Sequence, residues 1–169
     1  MNGEPIPRDH GGPLRAIVPG SAGVRTVKWV QRVKLSSEEA EGAWQRGMNY
    51  KAMPSHWRTK QDLQGVDFAA LPSIHELPVQ CAFSSPAPGD ALPSDEDSIE
   101  AKGWALGSAG RSIHRVEVSA DGGETWVAAD LEEGLDQPYG RAWAWTTWSA
   151  EVPVGEGPVE LVARAHDLG

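Results

Sequence analysis

The most regular pattern of apolar and polar positions lies in the second half of the chain. Ile99, Ala101, Gly103 and Ala105 share one face against Glu100, Lys102, Trp104 and Leu106 on the other, the period-two signature of a strand with one buried face. Ile113, Val116 and Val118 form a second run, interrupted at Asp121-Gly122-Gly123 and resumed at Trp126-Val127. Glycine supplies the positive φ of a tight turn, so this spacing predicts two antiparallel strands joined as a hairpin. Residues 141–148 place Trp143 and Trp145 on one face and Trp148 on the other, and Val159, Leu161, Ala163 and Ala165 alternate with Glu160, Val162 and Arg164. We expect Trp143 and Trp145 to be mostly core. Short strands at this spacing, separated by turn-rich gaps, predict an antiparallel sandwich.

The first half has a different texture. Pro5, Pro7, Gly11, Gly12, Pro13, Pro19, Gly20 and Gly23 punctuate residues 1–28 too densely for helix, leaving short strand candidates at 14–18 and 27–33. Ser36 with Glu39 three residues on fits a capping box and predicts a short helix, with Ala40, Ala43 and Trp44 as its apolar stripe and Gly47 as its end. Residues 48–80, broken by Pro54, Pro72 and Pro78, read as a wrapping linker, and residues 84–98 as an exposed loop in which Asp95-Glu96-Asp97 is a solvated run. No apolar run is long enough to cross a bilayer.

Charge changes this picture at one point. A net charge of -9 argues against nucleic acid and membrane surfaces as partners. The charge is unevenly placed, however: residues 1–60 hold ten Lys/Arg against five Asp/Glu, and residues 61–169 hold five against nineteen. A basic part that meets an anion and an acidic part that is mainly solvated surface follow from that split. Arg8, Arg15, Arg25 and Lys28, with His10 among them, lie on Gly/Pro loops, where guanidinium forks and backbone N–H groups can grip an oxyanion. The same cations read equally well as solvated loop residues. Pro19-Gly20-Ser21-Ala22-Gly23 lacks the Lys-Ser/Thr ending and the following helix of a nucleotide triphosphate loop. The five histidines are scattered singly and Cys81 reads as a small buried apolar group, so spacing assigns no metal ligand. Eight Trp beside two Tyr and two Phe indicate core anchors, a lined pocket or an interface.

The ordered run Met1-Asn2-Gly3-Glu4-Pro5, Arg8-Asp9-His10-Gly11, Pro13-Leu14-Arg15, Val18-Pro19-Gly20, Gly23, Arg25 and Val27-Lys28-Trp29 resembles the sulfite oxidase family of molybdenum enzymes, which includes eukaryotic nitrate reductase. The likeness continues through Trp44-Gln45-Arg46, Tyr50-Lys51, Glu76-Leu77-Pro78-Val79-Gln80, Lys102-Gly103-Trp104-Ala105 and Ala142-Trp143-Ala144-Trp145. What the resemblance implies is a mainly β fragment. Residues 1–75 would be the C-terminal part of an α+β molybdopterin-binding domain plus linker, and residues 76–169 an immunoglobulin-like antiparallel β-sandwich that dimerises, truncated at its C-terminus.

By position in the family, His10, Arg15, Thr26, Val27 and Lys28 are expected to bind the cofactor, and Tyr50 to be the catalytic tyrosine beside molybdenum and the substrate oxyanion. The resemblance places the molybdenum-ligating cysteine outside this chain, and Cys81 is not its counterpart. Gly12 stands where the family usually has an aromatic, and Thr26 where a histidine is common. The implied reaction is oxidation of sulfite to sulfate at a molybdenum-molybdopterin cofactor. A nitrate reductase fragment, or a non-catalytic dimerisation module, is the alternative. A homodimer, a haem domain in some full-length members, and the mitochondrial intermembrane space, with the peroxisome as alternative, complete what the family implies.

Overall fold

Among the described residues, 1–91 and 96–169 of a computed structural model, the alternating segments form seven strands. These are β1 (Gln80–Ser85), β2 (Ser98–Leu106), β3 (Ile113–Ser119), β4 (Val127–Ala128), β5 (Asp130–Leu131), β6 (Thr146–Pro153) and β7 (Val162–Asp167). They pair antiparallel into a four-stranded sheet, β1-β2-β6-β5, and a three-stranded sheet, β4-β3-β7. The chain divides into two units, Met1–Leu77 and Pro78–Gly169, and both sheets belong to the second. Asp95, part of the expected solvated run, lies outside the described residues.

In the sandwich the expected alternation is realised. Ile99, Ala101 and Ala105 of β2 are buried together with Ile113, Val116 and Val118 of β3 and Trp148, Ala150 and Val152 of β6. The register sets Gly103 directly opposite Trp148. A Cβ at Gly103 would run into the Trp148 ring and the Ala82 carbonyl, so the missing side chain is what admits the indole. Phe83 meets that ring edge-on at 5.4 Å, and Trp148 is left 1% exposed. A fully enclosed tryptophan removes a large apolar area from water and contributes strongly to stability.

Trp143 and Trp145 correct an expectation, since they are 45% and 57% exposed. Alternation separated their face from that of Trp148, but alternation alone does not say which face is inner. The space opposite Gly103 decides it for Trp148, whereas Trp145 stacks on Trp104 with ring centroids 4.7 Å apart. Trp104 belongs to the polar-facing set of β2, opposite in parity to its buried residues.

The β3–β4 hairpin forms at the expected turn, with Val118 opposite Val127 and Gly122 and Gly123 at φ 72° and 101°. The Asp121 carboxylate closes the turn by accepting from the Ser119 hydroxyl at 2.6 Å, the Thr125 hydroxyl at 2.6 Å, and the Glu124 and Thr125 N–H groups at 2.9 Å. These bonds, the Ser119 hydroxyl first, hold its carboxyl far below the usual range. On β3, the buried Glu117 accepts from Arg164 Nε at 2.8 Å and from Arg115, and the Arg164 bond leads in lowering its carboxyl. Burial pushes the Asp167 carboxyl up, but the Ser108 N–H and Arg111 outweigh it and the net direction is down.

The first unit departs from three expectations. No helix forms over residues 36–47. Ser36 Oγ accepts the Glu38 N–H at 3.1 Å, but Glu39 does not return to Ser36. Its carboxylate accepts from Gln45 and from Ser73 Oγ at 2.8 Å, so partners distant in sequence outcompete the local capping box. One turn survives, with the Gln45 and Arg46 N–H groups both on the Gly42 carbonyl.

Second, the strand candidates at 14–18 and 27–33 do lie together, through Ala16 N–H to Val27 C=O and Val30 N–H to Leu14 C=O, both 2.9 Å. No regular ladder develops. The register slips by one residue between these bonds, at a stretch where Trp29 adopts a left-handed φ of 51°. Third, the expected linker is folded into the unit. Ala52 N–H bonds Pro72 C=O, Ile74 N–H bonds Tyr50 C=O, Ala22 N–H bonds His75 C=O and Leu77 N–H bonds Gly20 C=O.

Trp148→Ala should cost about 3–5 kcal/mol, and Gly103→Ala about 1–3 kcal/mol through overpacking against the same ring; urea denaturation measures both. The carboxylates add a pH signature. A carboxyl lowered in the fold contributes stability above its unfolded pKa of about 3.9 and loses it as pH falls through the folded value. Asp121→Asn should therefore lower Tm at pH 7, and the gap to wild type should close as pH falls below about 4.

Candidate functional site

The geometry starts from a short 3-10 turn, Arg8–His10, closed by Gly11 at φ 100°. So short a turn leaves carbonyls in need of donors, and three later side chains supply them. Trp29 Nε1 donates to the Arg8 carbonyl at 2.8 Å, Lys28 Nζ to the Asp9 carbonyl at 2.6 Å, and Arg15 Nη1 to the His10 carbonyl at 2.9 Å. The Trp29 N–H adds a bond to the Gly11 carbonyl at 3.1 Å, and the Lys28 ammonium lies 5.6 Å from the Trp29 ring centroid. Glycine is required at two adjoining positions. A Cβ at Gly11 would approach Lys28 Cγ to 2.8 Å, and one at Gly12 would collide with the Ile6 carbonyl.

Thus His10, Arg15 and Lys28, singled out by charge placement and by resemblance, come together at one turn. Thr26 and Val27 lead into it. The Thr26 N–H closes the 3-10 turn Gly23–Arg25 on the Gly23 carbonyl at 3.0 Å, and the Val27 carbonyl accepts the Ala16 N–H at 2.9 Å. His10, Val27 and Lys28 are exposed, and Arg15 and Thr26 half-buried. Arg15 keeps a buried Nε without a partner, and Lys28 engages one of its three donors on Asp9. Arg25, grouped by composition with the anion-gripping cations, is tied to the Trp44 carbonyl, the Gln45 side chain and the Ile74 carbonyl, and its buried Nε, like that of Arg15, has no partner.

Tyr50 sits in a second cluster. Its backbone is left-handed, at φ 57°, a conformation that costs a non-glycine residue about 1 kcal/mol or more and is held only by its surroundings. Those surroundings are the bond from Ile74 N–H at 2.8 Å, the Trp44 ring 5.8 Å away, and the next residue. Lys51 has a fully enclosed side chain whose Nζ donates to the Leu71 carbonyl at 2.9 Å and to Ser73 Oγ at 3.0 Å, with Glu39 3.9 Å away. The Ser73 hydrogen bond, then that of Gln45, holds the Glu39 carboxyl below its usual value. The sequence reasoning missed this Glu39–Gln45–Lys51–Ser73 network. A lysine after Asn49-Tyr50 carries no local mark of burial, because its partners come about twenty residues later.

Chemically, the first cluster offers unmet N–H donors and positive charge to an anion such as a phosphate. The second offers a 39%-exposed phenol, able to donate to an oxyanion. Among the described residues no group of three or more His, Cys, Asp or Glu is placed to hold a metal ion. Cys81 packs half-buried against the sandwich core, where burial pushes its thiol up and the Trp148 indole partly opposes this. The residues present therefore fit the anionic, phosphate-bearing part of a cofactor and supply no ligand set for a metal.

Two family models match the chain: the Mo-co oxidoreductase dimerisation domain over residues 71–169, and the oxidoreductase molybdopterin binding domain over residues 1–44. Mitochondrial sulfite oxidase of Homo sapiens is 45% identical over 171 residues, covering 100% of this chain and 30% of that protein. Sulfite oxidase of Gallus gallus is 45% identical over 170 residues, covering 99% of this chain and 35% of its own length. Nitrate reductase [NAD(P)H] of Hordeum vulgare is 37% identical over 178 residues, covering 99% of this chain and 20% of its own length. The chain thus spans about a third or less of these relatives. The crystal structure of the sulfane dehydrogenase SoxCD from Paracoccus pantotrophus superposes with a TM-score of 0.71 at 24% identity, covering 99% of this chain and 38% of that one, a likeness of fold.

Lys51→Met leaves the Leu71 carbonyl and Ser73 without their buried donor. We expect a loss of about 1–3 kcal/mol and faster amide hydrogen exchange at Ala52 and Ile74, the groups that pair around Tyr50. Unchanged exchange would show that the network does not hold that loop.

Proposed function

From the premise that this chain belongs to the Mo-co oxidoreductase dimerisation-domain family, we propose that it is part of a molybdenum-cofactor enzyme that oxidises sulfite to sulfate. Residues 1–75 would complete a molybdopterin-binding domain, and residues 76–169 would form the domain through which two copies associate. The supporting observation is the turn Arg8–His10. It gathers Arg15 and Lys28, with a buried unpartnered Arg15 Nε, inside the stretch that matches the molybdopterin-binding model.

On this reading Arg15 and Lys28 neutralise the pterin phosphate. The imidazole of His10 donates a hydrogen bond to the cofactor, and Thr26 and Val27 contact the pterin through hydroxyl or backbone groups. Gly12 leaves the backbone bare beside that contact. When bound, the cofactor supplies the two-electron redox chemistry, its thiolate ligand coming from outside this chain. The phenol of Tyr50 orients the sulfite oxyanion and steadies charge that develops on it. The excess of positive charge over residues 1–60 raises the local concentration of both anions. Similarity to sulfite oxidases exceeds that to the barley nitrate reductase, which is why sulfite is preferred to nitrate. The mitochondrial name of the human relative supports the same compartment, and the intermembrane space is our proposal from the family resemblance alone.

Protein purified from its native source should contain molybdenum, have an intact mass well above 18.1 kDa, and reduce an electron acceptor when given sulfite. A molybdenum-free species of 18.1 kDa would sink the reading, and turnover with nitrate instead of sulfite would redirect it. In the full-length protein Tyr50→Phe should lower kcat about tenfold or more at unchanged Tm. Unaltered kinetics would remove Tyr50 from the site.

A further inference from the structure

Arg25 ends the 3-10 turn Gly23–Arg25, directly before Thr26, Val27 and Lys28. A guanidinium carries its N–H donors in one rigid plane, so a single side chain can hold acceptors from segments far apart in sequence. Arg25 does this with two segments. Its Nη1 donates to the side-chain oxygen of Gln45 and, at 3.4 Å, to the Trp44 carbonyl, and its Nη2 donates to the Ile74 carbonyl at 3.1 Å. The Nε is buried without a partner, so the group is held by its two Nη ends alone.

Both segments border Tyr50. The Trp44 ring lies 5.8 Å from the Tyr50 ring at a tilt of 54°. Ile74, whose carbonyl takes Arg25, gives its own N–H to the Tyr50 carbonyl at 2.8 Å. One guanidinium therefore fastens the residue beside the phenol ring and the residue that holds its backbone. The two segments are joined a second time by Gln45, whose amide donates to Ser73 Oγ at 3.1 Å while its oxygen accepts from Arg25. Among the described residues no hydrogen bond holds the phenol oxygen itself, so the direction of the ring is left to the left-handed backbone at φ 57° and to Trp44. Such a backbone persists only where its surroundings over-determine it.

We propose that Arg25 is a positioning residue for Tyr50, aiming the phenol at the substrate oxyanion by clamping Trp44 and Ile74 together. The proposal rests on the sulfite reading above and deepens it. It also separates Arg25 from Arg15 and Lys28, with which charge placement grouped it: those two meet the anion, whereas Arg25 acts through the chain. Misplacing a reacting group by about 1 Å can cost on the order of a hundredfold in rate, so a loosened clamp is read in kcat.

The test is a kinetic cycle in the full-length protein, with amide hydrogen exchange of the 169-residue chain beside it. Arg25→Met should lower kcat for sulfite about tenfold or more, with molybdenum content and circular dichroism retained. In a Tyr50→Phe background the same change should cost less than about twofold further, because its effect runs through the phenol. Arg25→Lys keeps the charge and loses the planar fork, and should recover only part of kcat. If Arg25→Met does not fold, the cycle is run with Arg25→Lys. Both variants should quicken amide exchange at Ile74, a readout independent of turnover. Losses that multiply in the double variant would show Arg25 acting apart from Tyr50. Lost molybdenum would show it holding the cofactor, and full recovery by Arg25→Lys would assign its role to charge. Each of these overturns the proposal, as does unchanged exchange at Ile74. A wild type without molybdenum, or one that leaves sulfite untouched, overturns instead the reading on which the proposal rests.

Discussion

The first unit is governed by how backbone carbonyls find donors where little apolar surface is buried. Ala22 is the one apolar side chain among its described residues that is fully buried, so burial alone cannot order this unit. Bonds from side chain to backbone do so instead: Trp29, Lys28 and Arg15 on the carbonyls of Arg8, Asp9 and His10, and Arg25 and Lys51 on those of Ile74 and Leu71. Cations are suited to this because a charged donor makes a stronger bond than a neutral one. The same groups that would meet an anion therefore also hold the chain in place. An anion arriving at Arg15 and Lys28 would compete for donors with the turn that positions them, or would use the donors left over. The unpartnered Arg15 Nε makes the second arrangement available.

The sandwich was far more legible from residue order than the first unit, for a physical reason. A strand buried on one face repeats every two residues whatever its partner, so Ile99, Ala101, Gly103 and Ala105 declare themselves locally, as do the glycines of the hairpin after β3. The absolute direction of a face is not local. It depended for Trp148 on Gly103, a residue of another strand, and Trp143 and Trp145 were misplaced for that reason. In the first unit the contacts that gather its separate segments are of that non-local kind, such as Ala22 N–H on the His75 carbonyl and Lys51 on the Leu71 carbonyl. The capping box at Ser36 and Glu39 is a sound local pattern that lost to Ser73 and Gln45. Of the candidate residues, His10, Arg15 and Lys28 stood out both as a basic cluster on Gly/Pro loops and through family resemblance, whereas Thr26, Val27 and Tyr50 were singled out by resemblance alone. His10, Arg15 and Lys28 then prove to share one turn, whereas the burial of Lys51 behind Tyr50 left no trace in the residue order.

The division of charge follows the same line. The basic part has cations fastened to carbonyls, and the acidic part has its most strongly lowered carboxyls fastened to turn N–H groups and hydroxyls, as at Asp121. In both, ionised side chains complete backbone geometry, and the residual sign of each part shapes what can approach it.

Gly12 has a consequence for how such a chain can change over generations. The carbonyl of Ile6 fills the space that any Cβ at position 12 would need. A single substitution there is incompatible with the path of the chain from Ile6 through the turn at Arg8–His10, and that path is what Trp29, Lys28 and Arg15 grip. A larger residue becomes admissible only after the Ile6 segment has moved. Position 12 is thus contingent on its neighbour: a side chain there requires at least two coordinated changes, with the Ile6 segment displaced first.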